Sequence, residues 1–195
     1  MTVQTYSLPR VTIEAGTVCR YLGARAGALP PELLGQVETI CARAETLGVW
    51  RAGWLTLPIR VEEACVDAGG LIRLPGKSLA AHLAGCARAV LFCATAGPGF
   101  DRMLSANRLQ PARLAIWDAA GTAGIESFCD RCCEALGGHQ RSRFSPGYGD
   151  LPMQSQQEIL SVLDARRTLG VGLTQGLLMT PAKSVTAIVG LEETK

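Results

Sequence analysis

Apolar residues recur at helical spacing through Leu33, Leu34, Val37, Ile40, Cys41, Ala44 and Leu47, which predicts an amphipathic helix. Pro30-Pro31 opens it, because proline has no amide hydrogen to lose at the first helical position, and Gly48 stops it. From Val49 to Val61 the period drops to two. Trp50, Ala52, Trp54, Thr56 and Pro58 alternate with Arg51, Gly53, Leu55 and Leu57, the pattern of a long strand. Proline cannot donate to a ladder, so Pro58 predicts an edge position near the strand's end. Gly69-Gly70 reads as a turn, and Leu71 to Leu74 returns as another strand. Arg88 to Ala96 is apolar almost throughout, as expected of a strand covered on both faces, and Gly97-Pro98-Gly99 breaks it. Val3 to Leu8 and the β-branched Ser184 to Leu191 complete the strands, with short apolar runs at Val171 to Leu173 and Leu177 to Met179.

Further helices are predicted over Lys77 to Ala84, Asp101 to Ala106 and Gln154 to Leu163, and the longest runs from Pro111 to Leu136. On that helix Leu114, Trp117, Gly121, Ile125, Phe128, Cys132 and Leu136 share one side, and Gly137-Gly138 ends it. Gly121 and Gly124 in its interior each cost about 1 kcal/mol relative to alanine. A close approach of helix to sheet would explain them, and so would a ligand lying against the helix. Helices and strands do not alternate strictly, so the class is α+β rather than a doubly wound sheet. No repeat or linker interrupts the chain, and residues 1–195 read as a single domain.

Hydrophobic residues make up 48% and charged residues 18% of the chain, which excludes a disordered tail. A net charge of +2 with only 5% aromatic residues gives no nucleic-acid footprint. Apolar runs such as Ala89 to Ala96 are too short to cross a bilayer, and Met1 to Arg10 has neither a basic start nor an apolar run. The expectation is a cytoplasmic protein with reduced thiols. Cys129, Cys132 and Cys133 have the best metal-ligand spacing, but a structural zinc needs a second pair, and His82 and His139 are the only histidines. No metal site is expected.

Two familiar motifs fail. Leu74-Pro75-Gly76-Lys77-Ser78 resembles the end of a phosphate-binding loop, but Leu71 stands where the motif needs glycine. Gly170 to Gly176 is one residue too long for a dinucleotide fingerprint and has no acidic residue beyond a following strand. The unusual segment is Arg141-Ser142-Arg143-Phe144-Ser145-Pro146-Gly147-Tyr148-Gly149-Asp150. A fixed cation precedes a stiff Pro-Gly turn that presents an aromatic ring. Gly147 and Gly149 would leave backbone amides accessible for close ligand approach. Arginine clamps carboxylates and tyrosine faces cations, so the segment suits a zwitterion with a positive centre; an ordinary surface turn with a salt-bridged arginine fits the residues equally well.

Arg143-Phe144-Ser145-Pro146-Gly147-Tyr148 resembles the Arg-x-x-Pro-Gly-Tyr signature of the activation domain of cobalamin-dependent methionine synthase. The resemblance continues in Leu173-Thr174-Gln175, Met179-x-Pro181 and Ser184-Val185-Thr186. It extends upstream to Ala94-Thr95-Ala96-Gly97, to the glycine-interrupted helix reaching Glu126 and to Arg20-Tyr21-Leu22-Gly23, which is similar to the opening of stand-alone members. It implies one domain with a twisted, mostly antiparallel sheet and flanking helices.

It also implies binding of S-adenosylmethionine by Glu126, Arg143, Pro146, Gly147 and Tyr148. Arg143 would take the ligand's carboxylate, and Glu126 its ammonium or a ribose hydroxyl. Tyr148, with the Pro146-Gly147 backbone, would shape the pocket. The implied activity is reactivation of cob(II)alamin carried by a partner corrinoid methyltransferase, with an electron from a flavodoxin-like donor and no general base. Neither histidine fits the cobalamin-binding Asp-x-His-x-x-Gly motif, since Ala80 stands two before His82, so cobalamin would sit on the partner's corrinoid-binding domain. A non-catalytic docking module is the alternative. The chain departs from the large enzyme in Gly149-Asp150-Leu151-Pro152, where that enzyme has Pro-Ala-Cys-Pro, and in lacking an acidic residue within Arg20 to Gly23.

Overall fold

The structure, a computed structural model, describes residues 2–24 and 26–192. In chain order, β1 (Gln4–Leu8), α1 (Ala15–Tyr21) and α2 (Pro31–Leu47) lead into the long β2 (Trp50–Val61). Then come β3 (Cys65–Ala68), β4 (Ile72–Pro75), α3 (Lys77–His82), β5 (Arg88–Thr95), α4 (Gly99–Ala106) and α5 (Pro111–Leu136). The last third holds α6 (Ser155–Val162), α7 (Ala165–Thr168), the small hairpin β6 (Gly172–Leu173) and β7 (Met179–Thr180), and β8 (Ser184–Leu191). The main sheet has six strands in the order β4-β3-β2-β5-β8, with β1 also on β2. Its pairings are all antiparallel.

The two-residue period of the strands builds two cores. Trp50, Ala52 and Trp54 of β2, Val90, Phe92 and Ala94 of β5, and Ala187 and Val189 of β8 face α1, α2, α4 and α5. Leu55 and Leu57, Ala89, Leu91 and Cys93, and Ile188 face the opposite layer, built around α3, α6 and α7. The apolar run of β5 is therefore covered on both sides.

Trp50 is the hub of the first core. Its ring lies 5.9 Å from Phe100 on α4 and 6.0 Å from Phe128 on α5, and its indole N–H donates to Glu45 O at 3.0 Å. The same ring explains one interior glycine of α5: a Cβ on Gly124 would stand 2.5 Å from Trp50 Cη2. A Cβ on Gly121 would meet Phe100 at 2.8 Å and Lys183 Cε at 2.9 Å. Close packing accounts for both glycines, and neither faces the candidate ligand groove.

Pro58 corrects the edge expectation. β2 is a central strand with β5 along one flank. On the other flank β1 pairs only as far as Trp54 and β3 begins at Ile59. Ile59 N–H donates to Ala87 O on the β5 side, so Pro58 turns its nitrogen and carbonyl to the other flank, where its oxygen accepts Gly69 N–H at 2.9 Å at the start of the β3 ladder. Proline there forgoes only the single donor opposite Gly69, at the very end of the β3 ladder.

Candidate functional site

The site is built where α5 meets the outer edge of β8. After α5 ends at Leu136, the chain returns along β8. Arg141 N–H donates to Gly190 O at 2.9 Å, and Phe144 and Ile188 exchange backbone bonds of 2.9 and 2.8 Å. This return fixes Arg143 between β8 and α5.

The next residues form two consecutive turns that share Tyr148. Tyr148 N–H donates to Ser145 O at 3.0 Å, with Pro146 and Gly147 (φ +92°) at the central positions, the signature of a type II turn. Leu151 N–H then donates to Tyr148 O at 3.0 Å, across Gly149 (φ +54°) and Asp150. Positive φ is why both glycines stand here. The Gly147 amide is taken by Leu151 O at 2.9 Å, and a Cβ on Gly149 would meet Ser78 Cβ at 2.6 Å.

Arg143 is the electrostatic centre. Its side chain is only 20% exposed. One terminal nitrogen donates to Glu126 Oε2 at 2.7 Å and the other to Asp130 Oδ1 at 2.7 Å. Glu126 and Asp130 sit one turn apart on α5, so helix periodicity aims both at the same cation. Burial works against the guanidinium's charge, but the Asp130 hydrogen bond and its neighbours outweigh it and hold Arg143 above its ordinary pKa. Arg143 therefore stays charged throughout the working range.

A groove of about 440 Å³ opens beside this cluster, lined by Glu126, Asp130, Cys133, Arg141, Arg143 and Tyr148 among others. That volume falls in the range of small-molecule sites. The Tyr148 ring is 59% exposed and stands edge-on to Phe144 at 6.0 Å. Of the five predicted site residues, Glu126, Arg143 and Tyr148 line the groove. Pro146 is buried inside the turn, and neither it nor Gly147 lines the groove.

Sequence reasoning missed two acidic groups. Asp130 is part of the cluster, and its signal was its position four residues after Glu126. Glu14 at the start of α1 lines a neighbouring groove of about 330 Å³ together with Arg20, Tyr21, Glu126 and Asp130. An N-terminal carboxylate thus reaches this region from a position before the Arg20 to Gly23 stretch.

The cysteine cluster is mostly inert. Cys129 and Cys132 are fully buried. Burial pushes the Cys132 thiol up to about 12 and Cys129 well above its ordinary value. Cys133 lies 3.7 Å from an Arg143 nitrogen. Among the described residues no group of three or more His, Cys, Asp or Glu is arranged to hold a metal ion, and no helix is long and apolar enough to cross a membrane.

Residues 129–194 match the family model described as the vitamin B12 dependent methionine synthase activation domain. No curated protein matches the chain at a significant level. Among solved structures, the chain is similar to one titled as the MetH reactivation domain bound to AdoHcy. The identity is 14% and the TM-score 0.68, over 100% of this chain and 80% of that one. Residues 129–194 thus match the activation domain family in sequence, and the chain as a whole is similar in fold to that reactivation domain.

Proposed function

We propose that this protein binds S-adenosylmethionine in the Arg143 groove and serves as a reactivation module for a partner corrinoid methyltransferase. The observation that carries the reading is the Arg143–Glu126–Asp130 cluster beside an exposed tyrosine, within or bordering the segment that matches the activation domain family. The residues suit the ligand's charges. Arg143 has further N–H donors for a carboxylate, Glu126 can accept from an ammonium, and Asp130 can face a sulfonium. Tyr148 offers a ring for the adenosine or the sulfonium.

S-adenosylmethionine supplies a sulfonium methyl group. With one electron from a flavodoxin-like donor, that methyl would convert the partner's cob(II)alamin to methylcobalamin and leave S-adenosylhomocysteine. The chain's own work is to bind and orient the methyl donor and keep bulk water from it; no side chain has to move a proton.

One observation favours the alternative, a docking module that binds no methyl donor: both terminal nitrogens of Arg143 are already engaged by the chain's own carboxylates. Calorimetric titration with S-adenosylmethionine and S-adenosylhomocysteine separates the two. Saturable binding that disappears in Arg143→Ala supports the proposal. Absence of binding to the wild-type protein, alone and with a corrinoid-binding partner domain, refutes it.

A further inference from the structure

The Pro75-Gly76-Lys77-Ser78 stretch, rejected above as a phosphate loop, still starts a helix with free backbone donors, and those donors are occupied. Lys77 N–H donates to Asp150 Oδ2 at 2.8 Å and Ser78 N–H to Asp150 Oδ1 at 2.9 Å. The anion at this helix start is the chain's own carboxylate, reaching from a loop more than seventy residues later. A Cβ on Gly76 (φ +136°) would approach Asp150 Oδ1 to 3.0 Å, and Gly149 lies directly against Ser78.

The other end of α3 holds the start of the same loop. His82 Nε2–H donates to Ser142 O at 2.8 Å, and its ring lies 5.1 Å from that of Phe144. Neither Asp150 nor any residue of α3 lines the Arg143 groove. Yet α3 touches the chain just before Arg143 and just after Tyr148. Asp150 is also a central residue of the turn whose first residue is Tyr148.

We propose that Asp150 is a positioning residue for the ligand groove, locking the Arg143–Tyr148 loop onto the start of α3 so that the arginine and the tyrosine keep their spacing. The inference rests on the ligand-binding reading above, but the lock itself can be tested without ligand. It assigns a purpose to the Gly149-Asp150 pair, at which this chain departs from the large enzyme, and to the lysine–serine helix start that the function otherwise leaves unused.

The experiment compares wild type, Asp150→Asn and Asp150→Ala, all as the full chain. Amide hydrogen exchange is read at residues 143–151, and S-adenosylhomocysteine affinity by calorimetry well below the unfolding temperature. Asp150→Ala should speed exchange at the Gly147, Tyr148 and Leu151 amides. It should weaken affinity by about ten- to a hundred-fold, the loss typical when an outer-shell group that orients a metal-ligating side chain is removed. Asp150→Asn keeps one acceptor oxygen and should fall between. A purely structural role would lower the urea midpoint and leave affinity in the folded protein unchanged, which overturns the inference. If Asp150→Ala does not fold, Gly149→Ala, which pushes the loop off Ser78 with the carboxylate intact, must give the same two changes. If wild type binds no ligand, the functional reading fails separately, and unchanged exchange in Asp150→Ala then overturns the lock.

Discussion

Replacing Gly124 by alanine sets two effects of known sign against each other. Alanine in a helix interior is favoured over glycine by about 1 kcal/mol. Against this, the new methyl would lie 2.5 Å from Trp50 Cη2 and 3.0 Å from Ile13 Cδ1. The isoleucine tip can rotate away; the indole cannot. Its N–H is tethered to Glu45 O at 3.0 Å, and its far side is already against Gly48, where a Cβ would come within 2.2 Å of the ring. Trp50 is thus wedged between two glycines and has no direction in which to retreat.

Overpacking of this kind costs about 1–3 kcal/mol, and a rigid, tethered neighbour places this site in the upper part of that range. Net of the propensity gain, Gly124→Ala should lose about 1–2 kcal/mol. For a chain of this size that is a fall in Tm of about 2–8 °C. Urea unfolding followed by tryptophan fluorescence, with a parallel thermal scan by circular dichroism, reads both quantities. S-adenosylhomocysteine affinity should be unchanged in the folded variant. Equal or greater stability would refute the packing argument. Lost affinity at unchanged stability would return the glycine to the ligand.

Two further predictions use groups that burial has isolated. Glu45 is 7% exposed and accepts Ile13 N–H at 2.9 Å while pairing with the exposed Arg10. Glu45→Ala should cost about 1–3 kcal/mol through the stranded Ile13 amide, while Glu45→Gln should recover most of it, since the amide oxygen still accepts Ile13 N–H and the exposed Arg10 can turn to water; equal losses in urea would show that the ion pair matters more. In the native state an aromatic disulfide reagent at pH 8 should react with the half-buried Cys65 and Cys133 first. Cys93 and Cys132 are pushed up to about 12 by burial and should react only on unfolding; fast native labelling of either, located by peptide mapping, would contradict the burial.

Elements framed by their own punctuation were readable in the chain. Helix α5 runs from Pro111 to Leu136 as predicted because proline and a glycine pair bracket it, and β8 fills Ser184–Leu191 as predicted from the β-branched Val185, Thr186, Ile188 and Val189 at its centre. The alternation in β2 identified its two faces correctly, yet the strand's place in the sheet was hidden. Whether Pro58 lies at an edge or where one neighbouring strand gives way to another depends on where β1 and β3 stop, and a local pattern carries no record of that. The site divides in the same way. The Arg143 to Tyr148 turn is a local motif and stood out. Asp150 acts on Lys77 and Ser78, and Glu14 borders the groove region across the fold, so their parts emerge only when distant segments meet.

The return of the chain along β8 has a consequence for the protein's behaviour in concentrated solution. β8 is the last strand of the sheet, and its outward backbone groups at Ile188 and Gly190 are satisfied by Phe144 and Arg141. The segment that presents Arg143 to a ligand is therefore also the seal on a bare sheet edge, where another chain could otherwise add a strand. Loosening that segment would uncover a template for self-association as well as weaken the groove. A ligand that holds the loop down would act as a solubilising agent, and loss of binding and onset of aggregation would be two readings of one opening event.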